Sequence, residues 1–377
     1  MVDTIPFIVT VIVSLDRVLS ISESTEKKAG NTMKNKVWIR RVIAHDDEVP
    51  VPYNLMFSPV PRRRLNEYYG TDDLETYLDL PIRMNGPESI KPLYASPEEF
   101  GETLADEFGV AWTTSEIDRG APIGSCLKKP DLSDYAFPDP TGEYRFKHFD
   151  SWCRQNAQHY TIIWIGDLWE RATFMCGMER LLLYVAAEPD FVFELLGRIA
   201  DYVLSTMEIL FDRYEFDGVA LSDDYGEQES LLISPVDWRR LVKPHVAKIF
   251  AKARAAGRTT FLHSCGNVSE VVPDLIELGL DILHPIQPEA MDIIELKRKF
   301  GDALTFCGGL GTQDLLVNAS PRKVREEVRR LQQTMGCGGG YILEPGITIQ
   351  ADVPLANILA VIEAVETQGG LSGGTRL

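Results

Sequence analysis

A single (β/α)8 barrel with an insertion between its second and third strands is the fold class this sequence predicts. Three observations carry it. Short apolar runs alternate with long amphipathic segments from residue 49 onward, and the alternation repeats to eight strands. No GxGxxG dinucleotide pattern follows the first of them. At 377 residues and 45 % apolar content, the chain can bury one large core.

The candidate strands, in order, are 49–57 (VPVPYNLMF), 78–84 (LDLPIRM), 161–166 (TIIWIG), 218–223 (GVALSD), 259–264 (TTFLHS), 282–286 (ILHPI), 304–309 (LTFCGG) and 341–346 (YILEPG). Between them run stretches with apolar residues at three- and four-residue spacing, such as MERLLLYVAAEPDFVFELLGRIADYVLSTMEILFDRY and SPRKVREEVRRLQQTMG. Several open on Ser, Asp or Pro and close at Gly, the residues that suit helix ends. Residues 86–160 are the insertion. Within it ETLADEFGVAWTTS alternates as a β-hairpin does. An excursion from the C-terminal face of a barrel forms a lid or pocket wall. Its aromatics Trp112, Tyr135, Phe137 and Trp152 are candidates to enclose a substrate.

The ends of the chain read differently. The apolar run Ile5 to Leu15 is too short to span a bilayer, and Asp3 is the only charged side chain before it, where a secretory signal needs positive charge. Residues 1–32 are expected to be a disordered leader or a mis-started segment, 33–368 the barrel, and 369–377 a flexible tail. With 56 acidic against 38 basic residues the net charge is −18. That excludes a nucleic-acid binder, which needs a basic face, and docking on an anionic membrane. The six cysteines, 126, 153, 176, 265, 307 and 337, form no CxxC pair. They read as reduced thiols of a cytoplasmic protein.

In such a barrel the chemistry sits at the C-terminal strand ends. The polar residues that fall there are Asn54, Asn85, Asp167, Glu170, Asp223, Asp224, His263, Cys265, Gln287, Glu289, Cys307 and Glu344. His263 and Cys265 are two apart on an extended backbone, so imidazole and thiolate share a face and can converge on one ion. Nitrogen plus sulfur suits zinc. The bland alternative is a buried thiol beside a histidine satisfied by a carboxylate. Asp223 and Asp224 end an otherwise apolar strand, where one could act as a base or accept from a substrate and either could cap a loop. Asp167 and Glu170 precede a helix, so capping competes with catalysis. Asn54, Asn85, Gln287 and Glu289 are candidate substrate contacts. Glu344 is a lone carboxylate in an apolar strand and needs a partner. The glycines of GCGGGYILEPG lack the Lys-Ser/Thr pair of a phosphate loop and precede a strand, so they read as a turn.

Together, WIRRVIAHDDEVPVPY, WERATFMCGMERLLLYVAAEPDFV, GVALSDDYGEQESLLISPVDWRRLVKPH, TTFLHSCGNVSEVVPDLIELGLDILHPIQP, FGDALTFCGGLGTQDLL and GGGYILEPGITIQADVPLANI resemble the uroporphyrinogen decarboxylase superfamily over about residues 34–366. The resemblance implies a (β/α)8 barrel and one of two chemistries. One is cofactor-free decarboxylation of uroporphyrinogen. The other is methyl transfer between a small methylated compound or thiol and a cobalamin carried by a partner corrinoid protein, with zinc assisting. The decarboxylase pattern places arginines after the first strand, an aspartate at the end of the second and a histidine in the last. Here those places read NLMFSPVPRRR, Met84-Asn85 and LEPGI. The methyltransferase pattern ends its fifth strand in HxC, as His263 and Cys265 do. Its third ligand, after the last strand, falls near Gly346 or Ile347, so Glu344 or Cys307 is expected to complete the metal set, with Asp237 a weaker candidate. A methyltransferase is therefore the expected function, with the decarboxylase as the alternative and a non-catalytic barrel that binds a corrinoid or its carrier as a third reading.

Overall fold

The computed structural model describes residues 35–367, so the expected leader (1–32) and tail (369–377) lie outside the described residues. Strand β1 (Ile82–Asn85) is followed by β2 (Thr103–Ala105), β3 (Ala111–Thr113) and β4 (Pro122–Gly124). Then come β5 (Tyr160–Gly166), β6 (Gly218–Ser222), β7 (Thr259–His263), β8 (Ile282–Ile286), β9 (Thr305–Leu310) and β10 (Tyr341–Pro345). Strands β1 and β5 to β10 pair in chain order as one seven-stranded sheet with every ladder parallel. Helices return the chain between most of them, the longest being Pro189–Arg213 between β5 and β6. None of the helices among the described residues is long and apolar enough to cross a membrane.

The first expected strand, 49–57, does not form a ladder. Tyr53 and Phe57 make isolated parallel bridges to Leu343 and Ile349, and the amides of Asn54 and Leu343 bond to Leu343 O and Pro52 O. Pro50 and Pro52 explain the interruption, since proline has no N–H to donate to a ladder. The segment nevertheless lies against β10, at the edge of the sheet opposite β1. The second expected strand starts late. Asp79 takes a left-handed φ of 49° and Pro81 again lacks a donor, so pairing begins at Ile82 instead of Leu78.

Strand parity sorts the core into two faces. Ile82, Tyr160, Ile162, Ala220, Phe261, Ile282, Cys307 and Ile342, drawn from all seven strands, form one cluster, which Ile39 and Val42 of the helix Asn35–Ile43 also join. A flat sheet could not bring its two edge strands into one compact cluster, so the sheet curls around these residues. The opposite parity, Ile163, Ile165, Val219, Leu221, Leu262, Leu283, Phe306 and Leu343, belongs to the larger core that includes the helices. Each such side chain contributes about 1.5–3 kcal/mol on burial.

The chain between β1 and β5 carries the separate sheet β2-β3-β4, in which β2 and β3 are the antiparallel pair expected from the alternation of ETLADEFGVAWTTS. Its aromatics serve packing. Trp112 is buried and donates to Asp106, the Tyr135 hydroxyl donates to Phe108 O, and Phe137 and Trp152 pack against the main core. The glycine cluster is a turn: Gly339 and Gly340 have φ of 73° and 61°, and a Cβ on Gly340 would lie 2.4 Å from His45 Nδ1.

Candidate metal centre

The concave face changes character toward the C-terminal ends of the strands. Continuing the parity of the apolar cluster, β7 presents His263, β8 His284, β9 Cys307 and β10 Glu344, with Ser222, His263 and His284 in register across three strands. The loops that follow β6 and β7 are laced together. The Asp223 amide donates to His263 O (2.7 Å), the Tyr225 amide to Ser264 Oγ (2.9 Å), and the Cys265 amide to Asp224 Oδ1 (2.7 Å). Gly266 allows this approach. It has φ of 79°, and a Cβ there would come 2.4 Å from the Gly226 carbonyl carbon. Its amide donates to Gln287 Oε1 at 2.5 Å, which braces the loop.

Two clusters of donors result. In the outer one, Asp224, His263 and Cys265 bring one ligand atom each within 4.8 Å of one another. His263 Nε2 lies 3.4 Å from Cys265 Sγ and 3.6 Å from Asp224 Oδ1. Ligand atoms around a tetrahedral zinc with ordinary bond lengths sit about 3.3–3.7 Å apart, so these spacings fit the ion. Burial lowers the His263 pKa, helped by Arg119 and opposed by Asp224, which keeps the imidazole in its neutral, ligating form. Burial, with Asp224 and Glu170, pushes the Cys265 thiol up. A divalent cation inverts that logic, because a coordinated thiol is deprotonated. The inner cluster is His284, Cys307 and Glu344, all buried. It touches the outer one through His263 Nδ1 and His284 Nδ1, 2.9 Å apart.

Cys307 and Glu344, expected to complete the His263–Cys265 pair, are grouped with His284. Asp224 stands beside that pair, while Cys307 and Glu344 stand one layer deeper with His284. The sequence reading passed over His284, a histidine inside an apolar strand, although its parity with Cys307 and Glu344 could have signalled it. Arg119 was also missed, because nothing in a loop sequence says where a long side chain will reach.

The other singled-out residues have defined partners. Asp223 is fully buried, and its Oδ1 accepts from the amides of Leu168 (3.0 Å) and Glu170 (2.8 Å) at the start of the helix Trp169–Cys176. Burial raises its pKa to about 7 against these donors. Asp167 is held by Arg171 through two bonds of 2.9 Å. Glu170 accepts from Arg119 Nη2 at 3.1 Å. Burial and the carboxylates Asp224 and Asp167 push it up to about 8, against the pull of Arg119. Asn54 donates to Glu344 Oε1 at 3.2 Å, Asn85 Oδ1 accepts from the Gly86 amide, and Glu289 Oε1 accepts from the Gln313 amide. Neither Asn85 nor Glu289 has a hydrogen bond to a member of either donor cluster among the described residues. A groove lined by Arg62, Arg63, Asn66 and Tyr94 lies apart from both.

The chain is an α/β protein in which a curled parallel sheet gathers nitrogen, sulfur and carboxylate donors at the C-terminal ends of its strands. Residues 161–368 match the uroporphyrinogen decarboxylase (URO-D) family, and the chain belongs to that family, whose members are enzymes. It is 24 % identical over 285 residues to the uroporphyrinogen decarboxylase of Psychromonas ingrahamii, a match covering 70 % of this chain and 75 % of that enzyme. It is 26 % identical over 148 residues to the methylcobamide:CoM methyltransferase MtaA of Methanosarcina barkeri, covering 39 % of this chain and 41 % of that one. Among solved structures, a methyltransferase from Methanosarcina mazei superposes with a TM-score of 0.66 at 15 % identity, covering 89 % of this chain and 99 % of that one. At that identity the superposition speaks to the fold.

Proposed function

We propose that this chain is a zinc-assisted methyltransferase that exchanges a methyl group between a small methylated compound or thiol and a corrinoid carried by a partner protein. The observation that carries the reading is the Asp224–His263–Cys265 triad, in which His263 Nε2 stands 3.4 Å from Cys265 Sγ and 3.6 Å from Asp224 Oδ1, spacings that suit a tetrahedral metal site with one position left for substrate. In this reading the curled sheet is a (β/α)8 barrel completed by the 52–58 segment, with residues 86–160 as a wall beside its mouth, in a cytoplasmic enzyme.

Zinc held there supplies Lewis-acid chemistry, lowering the pKa of a thiol or polarising the atom that the methyl group leaves. The chain does the rest. Asp224 and Cys265 bring two negative charges to balance a divalent ion. His263 presents Nε2 while its Nδ1 is held by His284, which sets the ring angle. The Arg119 guanidinium, bonded to Glu170 and close enough to the triad to act on His263 and Cys265, attracts an anionic group on the substrate. Trp164, its ring 6.2 Å from that of His263, walls the site.

The test is zinc content together with methyl transfer from methylcobalamin to a thiol. One zinc per chain is expected. His263→Ala, Cys265→Ala and Asp224→Ala should each lower the affinity of this triad for zinc by at least about tenfold to a hundredfold, the cost of losing even a residue that only supports a ligand, and reduce transfer with it. A zinc-free wild-type protein would end this reading. The P. ingrahamii relative supports a decarboxylase as the second reading. Formation of coproporphyrinogen from uroporphyrinogen would favour it.

A further inference from the structure

Apart from His284, which holds the His263 ring, the inner cluster has no part in the chemistry above, yet it has the composition of a metal site. Cys307 Sγ lies 3.1 Å from Glu344 Oε2, and His284 Nε2 lies 3.9 Å from the same oxygen. The latter distance is too long for a hydrogen bond. His284 Nε2 has no other partner, although the residue is 0 % exposed. A buried nitrogen left unpaired is costly, as is a buried carboxylate without a cation. Glu344 is influenced by burial, Cys307 and Asn54, and Cys307 by burial and Glu344, so neither answers to a Lys or Arg. An ion set among the three donors would satisfy the nitrogen. With one carboxylate and one thiolate it would also leave the interior neutral. Asn54 fixes Glu344 by donating to Oε1, which turns Oε2 toward His284 and Cys307.

We propose that His284, Cys307 and Glu344 form a second, buried seat for a borderline-soft divalent cation of the zinc or cobalt(II) kind, and that the outer and inner triads hold the ion alternately. The mixed nitrogen, sulfur and oxygen set selects this class over magnesium or calcium, which take oxygen. The alternation rests on the reading of the outer triad as a metal site and follows from one hydrogen. The 2.9 Å contact between His263 Nδ1 and His284 Nδ1 holds a single proton. When neutral His263 ligates through Nε2, its Nδ1 is the donor, and neutral His284 must then carry its proton on Nε2, where it cannot ligate. The converse tautomers open the inner seat and close the outer one. Asp224 and His263 retain 29 % and 19 % side-chain exposure against 3 % and 0 % for Glu344 and His284, so the outer triad is the seat that exchanges with solvent.

Cobalt(II) added to the metal-free full chain tests this, read by bound equivalents and by the thiolate-to-cobalt absorption band. Wild type should bind one equivalent with the band. Cys265→Ser should still bind one equivalent and keep the band through Cys307. Cys307→Ser should keep it through Cys265, and the double variant should lose it. On the Cys265→Ser background the isosteric Glu344→Gln should abolish uptake while circular dichroism stays native. Loss of metal or band in Cys265→Ser alone overturns the inner seat and leaves the outer reading standing. Loss in Cys307→Ser alone sinks the outer reading and leaves the inner seat. Two equivalents bound at once to wild type overturn the alternation.

Discussion

His263 shows how much one side chain is asked to do. It ends β7, faces a thiol and a carboxylate on one nitrogen, and meets a second histidine on the other. The thiol is the group that must change state to bind metal, because burial and its acidic neighbours favour its protonated form. Zinc binding therefore displaces one proton from Cys265. Apparent zinc affinity should rise about tenfold per pH unit as the pH climbs toward neutrality and beyond. A competition titration with a chromophoric chelator would measure it, and a flat profile would assign the thiol no ligand role. The His263–Cys265 pair was legible in the sequence because an HxC spacing at the end of an apolar run suggests a shared face on extended backbone, although β7 ends at His263 and Cys265 lies just past it. Asp224 as the third donor was not, because it comes from a neighbouring strand end.

The helix Trp169–Cys176 depends on an acceptor from another element. Its N-cap position is Leu168, whose side chain cannot accept a hydrogen bond, and Asp223 from the end of β6 takes the amides of Leu168 and Glu170 instead. Asp223→Ala should leave those buried donors unsatisfied and cost about 1–3 kcal/mol. Urea denaturation would register this as a lower midpoint with an unchanged slope. A change near zero would mean that water replaces the carboxylate. The adjacent aspartates were visible in LSDDYG as a functional candidate pair. Which one faces outward depends on the backbone just past Ser222, where Asp223 turns into the protein and Asp224 toward Cys265. The interrupted first strand has a local cause, the prolines Pro50 and Pro52 within it.

Across the whole molecule, the chain inserted between β1 and β5 is anchored by charge as well as by apolar packing. Asp106 accepts from the amides of Phe108 and Val110 and from the Trp112 indole, and pairs with Arg171 at 2.8 Å. Arg171 also holds Asp167 and stacks 4.5 Å over Phe108. Arg171→Met keeps the volume but strands two carboxylates, and a loss of about 3–5 kcal/mol is expected. A thermal shift would detect it, and an unaltered Tm would show the anchoring to be apolar alone. The concentration of acid at the site gives the metal-free chain a signed pH dependence. Glu170 is raised to about 8 and Asp223 and Glu344 to about 7, so the folded state binds more protons than the unfolded one above their ordinary values. Stability must then fall as pH rises through those values. His263 and His284 are lowered and act in the opposite sense, but only below their ordinary 6.5. The Tm of metal-free protein should therefore drop between about pH 6.5 and 8.5, and saturating zinc should flatten or reverse the drop. A rising metal-free Tm in that window would show that these carboxylates are not buried as described.

The sequence by itself determined the parallel α/β architecture, since strand and helix periodicity are local properties of the chain. It also marked the HxC pair, although β7 ends at His263 and Cys265, just past it, is held by the bond of its amide to Asp224. Only the tertiary structure decided which carboxylate joins them, that Cys307 and Glu344 belong with His284, and that Arg119 reaches Glu170 from the insertion. These relations depend on register between strands distant in sequence and on the curl of the sheet. Ladder pairing sets Ser222, His263 and His284 side by side, and sheet curvature brings β10 close enough for Glu344 to face β8 across the interior. No single segment carries either quantity.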